Sequence, residues 1–561
     1  MIQTQVSDNA LSADLPRQDQ IWSGDLTTMA FDENGIYQKL LNIEAPVFVL
    51  RQGDRIGTTN TGGIVYSNST DHGDKIERSA AHFEVLANIL PLKIQNLGDA
   101  RFKTTYGTRA AYMTGAMAHG IASVELVIAL GKAGLLGSFG SAGIVPARLE
   151  RFIQTIQSAL PDGPYAVNLI YNPNEEALER GAVDLLLKYN VTIAEASAYL
   201  DLSPSIVYYR AAGLSLAPEG IVIIKNRIIA KLSRKEIATK FMSPAPEAIL
   251  NRLLEEKRIT SQQAELAKCV PMADDITVEA DSGGHTDNRP LVCLMPTMLA
   301  LRDELQAKYG YRQTIRVGAA GGISTPAAAL AAFMMGAAYI VTGTVNQACV
   351  EAGTSEHTRK LLAQASMTDV IMAPSADMFE LGVKVQVLKS GTLFPMRAMK
   401  LYDLYTRYSS IDEIPGEERE KLEKQVFKRD LVSIWQETEK FFTERDPDQI
   451  IRANQNPKRK MALIFRWYLG LSSLWSNSGE KGREMDYQIW CGPSIGPFND
   501  WSRGTYLADP ANRKVVDVAL HILTGCAYLF RLQVMKMQGI QPSAGLSAYR
   551  PLAPITEQLQ V

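Results

Sequence analysis

From Arg109 onward, short apolar runs alternate with amphipathic stretches in a regular order. Short apolar runs bounded by turn residues are typical of buried strands, and a 3.6-residue periodicity between them is typical of helices. Strand–helix units repeated over roughly 250 residues match the size of a (β/α)8 barrel. The pattern therefore predicts an α/β fold built on such a barrel, with a doubly wound open sheet as the competing fold.

Eight strands can be placed in this region. Glycine-rich loops follow the last two, which favours the closed barrel because phosphate-binding loops in barrels often follow strands seven and eight. The predicted strands lie at 110–113, 135–139, 165–170 and 192–196, and within 220–232, 274–285, 315–323 and 339–344.

Three segments depart from the barrel pattern. The barrel itself is expected to span residues 106–395. Before it, the pattern in residues 1–105 predicts a mobile tail to about residue 20, followed by a small α+β unit. A helical insertion at about 233–269 should form a lid or substrate wall, because βα-loop insertions lie on the active-site face. Residues 396–561 predict a C-terminal helical domain, in which 417–442 read as one long charged helix.

Composition narrows the class of protein. Of the 561 residues, 46% are apolar and 21% charged, and the formal net charge is -2. These values predict a globular protein and give no support for nucleic-acid binding. The five cysteines show no CxxC spacing, which indicates reduced thiols in a cytoplasmic protein and no metal site. We see no signal peptide and no long apolar run, so we expect no membrane span.

Two glycine loops are candidates for binding phosphate. Gly321 and Gly322 precede a Ser-Thr-Pro helix start, and Gly343-Thr344 follow the next strand. Glycine lets the backbone approach an anion closely, and a helix N-terminus favours negative charge. Each loop alone could simply be a tight turn. Their occurrence in consecutive units favours phosphate.

His285 is the candidate proton donor. It follows Gly283-Gly284 in a polar loop, and imidazole can donate a proton near neutral pH. The alternative is a structural histidine bonded to a loop carbonyl. His119 is a second candidate, or it braces a neighbouring loop. Asn168 and Lys231 would place polar groups in the barrel mouth, although Lys231 could equally be a solvated strand end.

Several motifs together resemble the superfamily of nitronate monooxygenases and FMN-dependent enoyl-acyl carrier protein reductases. The resemblance covers residues 109–355, and nearly the whole chain resembles its PfaD-type subfamily more closely. The superfamily motifs here are Gly115-Ala116-Met117, Val167-Asn168, Gly283-Gly284-His285, Ala320-Gly321-Gly322-Ile323 and Gly343-Thr344, and the PfaD-type ones are Pro271-Met272-Ala273-Asp274-Asp275 and Trp490-Cys491-Gly492-Pro493. One departure is that Asp281-Ser282 separate Glu279-Ala280 from the Gly-Gly-His motif, which puts the alignment of Glu279 in doubt.

The resemblance implies a trans-acting enoyl reductase of polyketide or polyunsaturated fatty acid synthases. NADPH, or NADH, would reduce bound FMN, which would give hydride to the β-carbon of a 2-enoyl thioester. His285 would protonate the α-carbon. The implied FMN-binding residues are Gly321, Gly322, Gly343 and Thr344 at the phosphate, Gly115, Met117, Asn168 and Lys231 at the isoalloxazine ring, and also Ala116, Gly283 and Gly284.

The implied substrate is carried by acyl carrier protein, whose surface is generally acidic. Lys458-Arg459-Lys460 could attract it, or could be only a solvated helix start. A homodimer is also possible.

Three other functions compete with this interpretation. A nitronate monooxygenase would use the same fold and flavin, and a non-catalytic synthase scaffold would bind no FMN. An enzyme like inosine-monophosphate dehydrogenase would need a nucleophilic cysteine after strand six, and none lies between Ile276 and Pro290.

Overall fold

Eight parallel strands close into a barrel, in the order β4-β5-β6-β7-β8-β1-β2-β3. The computed structural model describes residues 3–4, 20–66, 83–171 and 176–555. The predicted (β/α)8 fold class is confirmed, and each predicted barrel strand overlaps an observed one. The strands are β1 (Tyr112–Thr114), β2 (Leu136–Phe139), β3 (Ala166–Ile170), β4 (Ile193–Ser197), β5 (Arg227–Leu232), β6 (Asp275–Glu279), β7 (Arg316–Ala320) and β8 (Ile340–Thr342).

The barrel strands are buried along almost their whole length, because helices cover them from outside and side chains fill the interior. At the amino-terminal end, Arg316 donates two hydrogen bonds to Asp275, of 2.7 and 2.6 Å. In this buried ion pair the two charges neutralise each other, at the end of the barrel opposite the glycine loops. The helices that alternate with the strands are Val124–Lys132, Pro146–Ala159, Glu176–Lys188, Pro204–Ala212, Lys235–Met242, Leu291–Tyr309, Pro326–Met334 and Thr344–Gln347.

Two further helices, Glu247–Glu255 and Ser261–Ala267, complete the predicted helical insertion. The second helix begins with a capping box, in which the side chains of Thr260 and Gln263 each accept a hydrogen bond from the other residue's backbone N–H. An exposed hairpin, Leu214–Leu216 with Val222–Ile224, precedes β5. Within the predicted range 220–232, Val222–Ile224 therefore belongs to a hairpin, and only Arg227–Leu232 belongs to the barrel.

A three-stranded sheet outside the barrel was not predicted from the sequence. Lys384–Leu388 lies in its centre, antiparallel to Val370–Pro374 on one side and to Gly284–His285 on the other. The strand Gly284–His285 has only two residues, which is too short to show an alternating pattern in the sequence. It is recognised only from its pairing with Lys384–Leu388. This sheet fixes the backbone of the predicted proton donor.

The C-terminal region is helical, as predicted, but the single helix expected over 417–442 is wrong. It ends at Lys428, whose φ of +55° is left-handed, and a new helix begins where the Asp430 side chain accepts the N–H of Ser433. Aromatic and aliphatic side chains from several of these helices share one core. The helices are Phe394–Arg407, Gly416–Lys421 continued by a π-helix at Leu422–Phe427, Leu431–Arg445, Pro447–Gln455, Pro457–Ser478 and Ile495–Ser502.

The described chain divides into two compact units, and the barrel unit covers 98–324 and 332–518. The other unit combines the described residues of 1–97, 325–331 and 519–561. The described residues from 519 to 555 thus fold with the N-terminal region, whereas the sequence grouped them with the helical domain. Residues 5–19 of the predicted tail lie outside the described residues.

Within this second unit, a five-stranded antiparallel sheet packs its core around Trp22 and Phe48. The guanidinium of Arg531 donates to the carbonyl oxygens of Leu40 (3.0 Å) and Asn42 (2.7 Å), which caps the end of the helix Glu33–Leu41. The strands are Gln20–Ser23, Val47–Gln52, Arg55–Thr59, Gly63–Tyr66 and Glu84–Ile89.

The helix Val515–Met537 is long and apolar enough to cross a membrane by length and composition alone, which the sequence pattern did not lead us to expect. Within the described chain it is the one such helix, and 83% of its apolar window is buried inside the protein. Its apolar side chains therefore serve as core.

Candidate active site

A cavity opens at the carboxyl ends of the barrel strands. Its lining combines residues from loops that are far apart in sequence, because parallel barrel strands all end at the same rim. No residue of the helical insertion lines it, so the lid expected at 233–269 does not form this wall. The proton donor and the FMN-binding residues implied by the resemblance all line it: Gly115, Ala116, Met117, Asn168, Lys231, Gly283, Gly284, His285, Gly321, Gly322, Gly343 and Thr344.

The loop after β1 is anchored through its backbone. The N–H of Gly115 donates to the carbonyl of Thr342 (3.0 Å), and the N–H of Ala116 donates to Oε2 of Glu195 (2.7 Å). Glu195 is fully buried, and its other oxygen, Oε1, has no hydrogen-bond partner. Sequence reasoning treated Glu195 only as a strand residue, although a carboxylate inside a run of small apolar residues was a usable signal.

Asn168 lies in the middle of β3 and is buried. Its side-chain amide donates to the carbonyl of Glu195 (2.9 Å) and to Oγ of Ser197 (3.0 Å). Both N–H groups are thus committed to β4, and Oδ1 remains as the side-chain atom that can accept a hydrogen bond.

Lys231 carries a positive charge into the cavity wall. Its Nζ lies 3.4 Å from Oε1 of Glu279. Burial acts to lower the pKa of Lys231, but the negative charges of Glu279 and Glu195 outweigh burial and raise it above its usual value. The sequence left open a solvated strand end, whereas the side chain is mostly buried and paired.

The two glycine loops form a cradle with free donors. Gly321 and Gly322 have φ of +82° and +76°, and a Cβ on Gly321 would lie 2.6 Å from the carbonyl carbon of Ala280. A Cβ on Gly322 or Gly343 would meet no protein atom within 4 Å. Within the described chain, the N–H groups of Gly322 and Gly343 have no protein acceptor. Open space beside unpaired N–H groups fits a phosphate.

His285 stands at one side of the cavity and is partly exposed. Its Nε2 lies 3.3 Å from Oδ2 of Asp377, close enough for an ion pair but not aligned as a hydrogen bond. Burial acts to lower the pKa of His285, but the charges of Asp377 and Glu279 outweigh it and raise the pKa above its usual value. Asp377 has no motif in the sequence and was missed.

His119 does not line the cavity. Its Nδ1 lies 3.1 Å from Oγ of Ser473, and its ring lies 5.4 Å from that of Trp490. These contacts favour the bracing role over proton donation.

The segment 490–494 forms a wall that sequence reasoning did not place. Trp490 and Ser494 line the cavity, and the N–H of Gly492 donates to Oγ1 of Thr344 (3.0 Å). A Cβ on Gly283 would lie 2.9 Å from the nitrogen of Gly492, so the two glycines let two backbones touch. The motif Trp490-Pro493 was noticed in the sequence, but without a partner its position could not be inferred.

The basic side chains at 458–460 make contacts within the protein. Lys458 donates to the carbonyl of Tyr408 (2.5 Å), next to the end of the helix Phe394–Arg407. Arg459 donates to Gln449, and Nζ of Lys460 lies 4.6 Å from the ring centre of Trp435. All three side chains are half-buried, so little of their charge is presented to a partner.

Comparison with family models gives three matches. Residues 108–403 match nitronate monooxygenase, residues 22–82 match the N-terminal domain of the fatty acid synthase subunit PfaD, and residues 408–487 match the inserted helical domain of [acyl-carrier-protein] S-malonyltransferase. The first match covers more than half of the chain and includes the twelve cavity residues that the sequence predicted, whereas Trp490 and Ser494 lie outside it.

Two curated relatives are named for the biosynthesis of fatty acids or polyketides. A polyunsaturated fatty acid synthase polypeptide of Thraustochytrium sp. is 53% identical over 455 residues, 80% of this chain and 30% of that protein. Polyketide biosynthesis protein PksE of Bacillus subtilis is 47% identical over 466 residues, 83% of this chain and 60% of that protein. The chain therefore spans less than two thirds of either relative.

A solved structure shares the fold over most of the chain. The enoyl reductase domain of MlnA from the macrolactin biosynthesis cluster of Bacillus amyloliquefaciens is 40% identical with a TM-score of 0.75. The match covers 79% of this chain and 100% of that domain.

Proposed function

The chain belongs to the nitronate monooxygenase family, in its PfaD-type branch, and on this premise we propose that it is an FMN-dependent enoyl reductase. The substrate class is a 2-enoyl thioester. The observation that carries the proposal is one cavity in which unpaired backbone donors, a buried cation and a partly exposed imidazole face each other.

The cavity offers suitable groups to each part of FMN. The N–H groups of Gly322 and Gly343 would bind the phosphate, together with Gly321 and Thr344. Asn168, Lys231 and the loop of Gly115, Ala116 and Met117 would line the ring, and Gly283 and Gly284 would close the side next to His285. Bound FMN, reduced by NADPH or NADH, supplies the hydride that reaches the β-carbon of the substrate.

The residues of the chain supply the charge and the proton. The ammonium of Lys231 stabilises negative charge that develops near it. The imidazolium of His285 gives a proton to the α-carbon, so one hydride and one proton convert the C=C bond to a single bond. The charges of Asp377 and Glu279 raise the pKa of His285 above its usual value, which favours the protonated ring that a general acid requires.

We further infer that the enoyl group arrives on acyl carrier protein, within a polyketide or polyunsaturated fatty acid synthase in the cytoplasm. The relatives named for such synthases support this context. The half-buried cations at 458–460 give little support for docking there. A homodimer is part of the same proposal and is tested by light scattering.

The experiment is a visible absorption spectrum of the purified protein under anaerobic conditions. We expect flavin bands that NADPH bleaches and that a crotonyl thioester restores, with butyryl thioester as product. A colourless protein that cannot take up FMN would instead support the scaffold, and bleaching without restoration by any enoyl thioester would reject enoyl reduction.

A second candidate is a nitronate monooxygenase, because residues 108–403 match that family model. It would consume oxygen with a nitronate and would not need NADPH. Oxygen uptake with propionate 3-nitronate, compared with anaerobic NADPH consumption with the enoyl thioester, separates the two functions.

A further inference from the structure

His285 lies on an edge strand of the three-stranded sheet, and Asp377 lies in the connection between its other two strands. The strand Gly284–His285 pairs with Lys384–Leu388, so that His285 stands opposite Val385. The outer strand Val370–Pro374 pairs with the other edge of Lys384–Leu388, and the N–H of Ser375 extends this pairing to the carbonyl of Val383 (2.9 Å). Asp377 follows two residues later. The separation of the two side chains is therefore set by strand pairing.

A side-chain network fixes the loop that carries His285. Gln386 donates to Oδ1 of Asp281 (2.7 Å) and to the carbonyl of Ser282 (2.7 Å). Asn288 donates to the same oxygen of Asp281 (2.9 Å) and to Gln386 (3.1 Å). The insertion Asp281-Ser282, which sets this chain apart from the wider superfamily motif, thus ties the histidine loop to the sheet.

The two carboxylate oxygens of Asp377 contact different groups. Oδ1 accepts the backbone N–H of Met378 (3.1 Å), which holds the side chain, and Oδ2 faces Nε2 of His285 at 3.3 Å. The side chains of His285 and Asp377 are 32% and 45% exposed. A pair this exposed adds little to stability, so its value should lie in what it does to the imidazole.

We propose that Asp377 is a positioning residue, whose carboxylate holds the imidazole of His285 in the orientation and charge state that deliver a proton into the cavity. This rests on the function proposed above. Because Nε2 faces Asp377, Nδ1 is the nitrogen left for the substrate. In the step, the N–H bond at Nδ1 breaks, its proton bonds to the α-carbon as hydride reaches the β-carbon, and the neutral imidazole is reprotonated from water.

Three charged groups face the imidazole from separate elements. Asp377 faces it from the connection between Val370–Pro374 and Lys384–Leu388. Glu279 faces it from the end of β6, and Lys231 faces it from β5. Lys231 opposes protonation, whereas the two carboxylates favour it, and Asp377 has the larger effect of the two. Glu279 is also paired with Lys231, so Asp377 is the carboxylate whose removal changes mainly the histidine.

The test compares Asp377→Asn with Glu380→Gln in the holoenzyme. Glu380 lies in the same connection between strands but pairs with Arg466 (3.3 Å), so its variant controls for losing a nearby charge. Two quantities are measured against pH: the rate of enoyl thioester reduction, and the titration of the His285 ring by NMR with labelled histidine, assigned with His285→Asn.

For Asp377→Asn we expect an unchanged flavin spectrum, a His285 titration at lower pH, and reduction that is lost at lower pH than in the parent. At a pH above both midpoints the rate should fall about tenfold for each pH unit of that shift. Glu380→Gln should follow the parent in both measurements.

The two readouts separate the possible failures. An unchanged titration of His285 in Asp377→Asn would overturn the proposal. A lowered titration with an unchanged pH profile would also overturn Asp377 as a positioning residue for the reaction, and would show that His285 is not the proton donor. A lowered titration in an enzyme that reduces no enoyl thioester would reject the proposed function instead.

Discussion

The buried carboxylate of Glu195 accepts a hydrogen bond of 2.7 Å from the backbone N–H of Ala116. This contact joins the middle of β4 to the loop after β1. It is the acceptor on which the conformation of that loop depends, because a buried N–H group is costly to leave without one.

Glu195→Ala should therefore destabilise the protein by about 1–3 kcal/mol, the usual cost of a buried donor left without an acceptor. Glu195→Gln retains an acceptor oxygen and should cost less. The measurements are the thermal midpoint and the FMN dissociation constant, and equal losses in the two variants would show that the contact is dispensable.

His285→Ala should keep the flavin spectrum but lose enoyl reduction by about 10²–10⁴-fold, the usual contribution of a general acid. His119→Ala is the matched control, since His119 does not line the cavity. Reduction at the parental rate in His285→Ala would show that another group supplies the proton.

The pH dependence of reduction should carry a descending limb, because the acid form of His285 is lost as pH rises. The folded pKa of His285 lies above its usual value of about 6.5, so the limb should lie above that pH. The same sign holds for stability: the stabilising charge pair with Asp377 is fully present below the unfolded pKa and is lost as pH rises through the folded one. Steady-state rates from about pH 5 to pH 10 would locate the limb, and an activity that rises throughout this range would contradict the assignment.

Gly321→Ala should weaken FMN binding and lower the thermal midpoint. A Cβ there would lie 2.6 Å from the backbone of Ala280, in addition to the strain of a φ of +82°. Gly310→Ala isolates the second effect, because Gly310 has φ of +61° with no atom within 4 Å of a Cβ. Gly310→Ala should cost about 1 kcal/mol, whereas Gly321→Ala should cost more and alone should release FMN. Equal effects would mean that the close approach is tolerated.

The sequence predicted most of the barrel because its signals are local. Apolar runs placed the strands, and glycine pairs placed the loops at the cavity. Asp377, Glu195 and Trp490 could not be assigned in the same way, since each acquires its role from a partner distant along the chain. The helix predicted through Lys428 failed for a different reason. Its charge pattern is helical on both sides, and the cap at Asp430 was not weighed.

The contact between Gly283 and Gly492 has a consequence for biosynthesis of the protein. A nascent chain synthesised only to residue 487 already contains every barrel strand and the imidazole, yet lacks the segment that closes their rim. The pocket is therefore completed only after residues 490–494 have left the ribosome, well after the last barrel strand. Under the proposed function, FMN is expected to bind stably only after this segment has packed against the glycine loops.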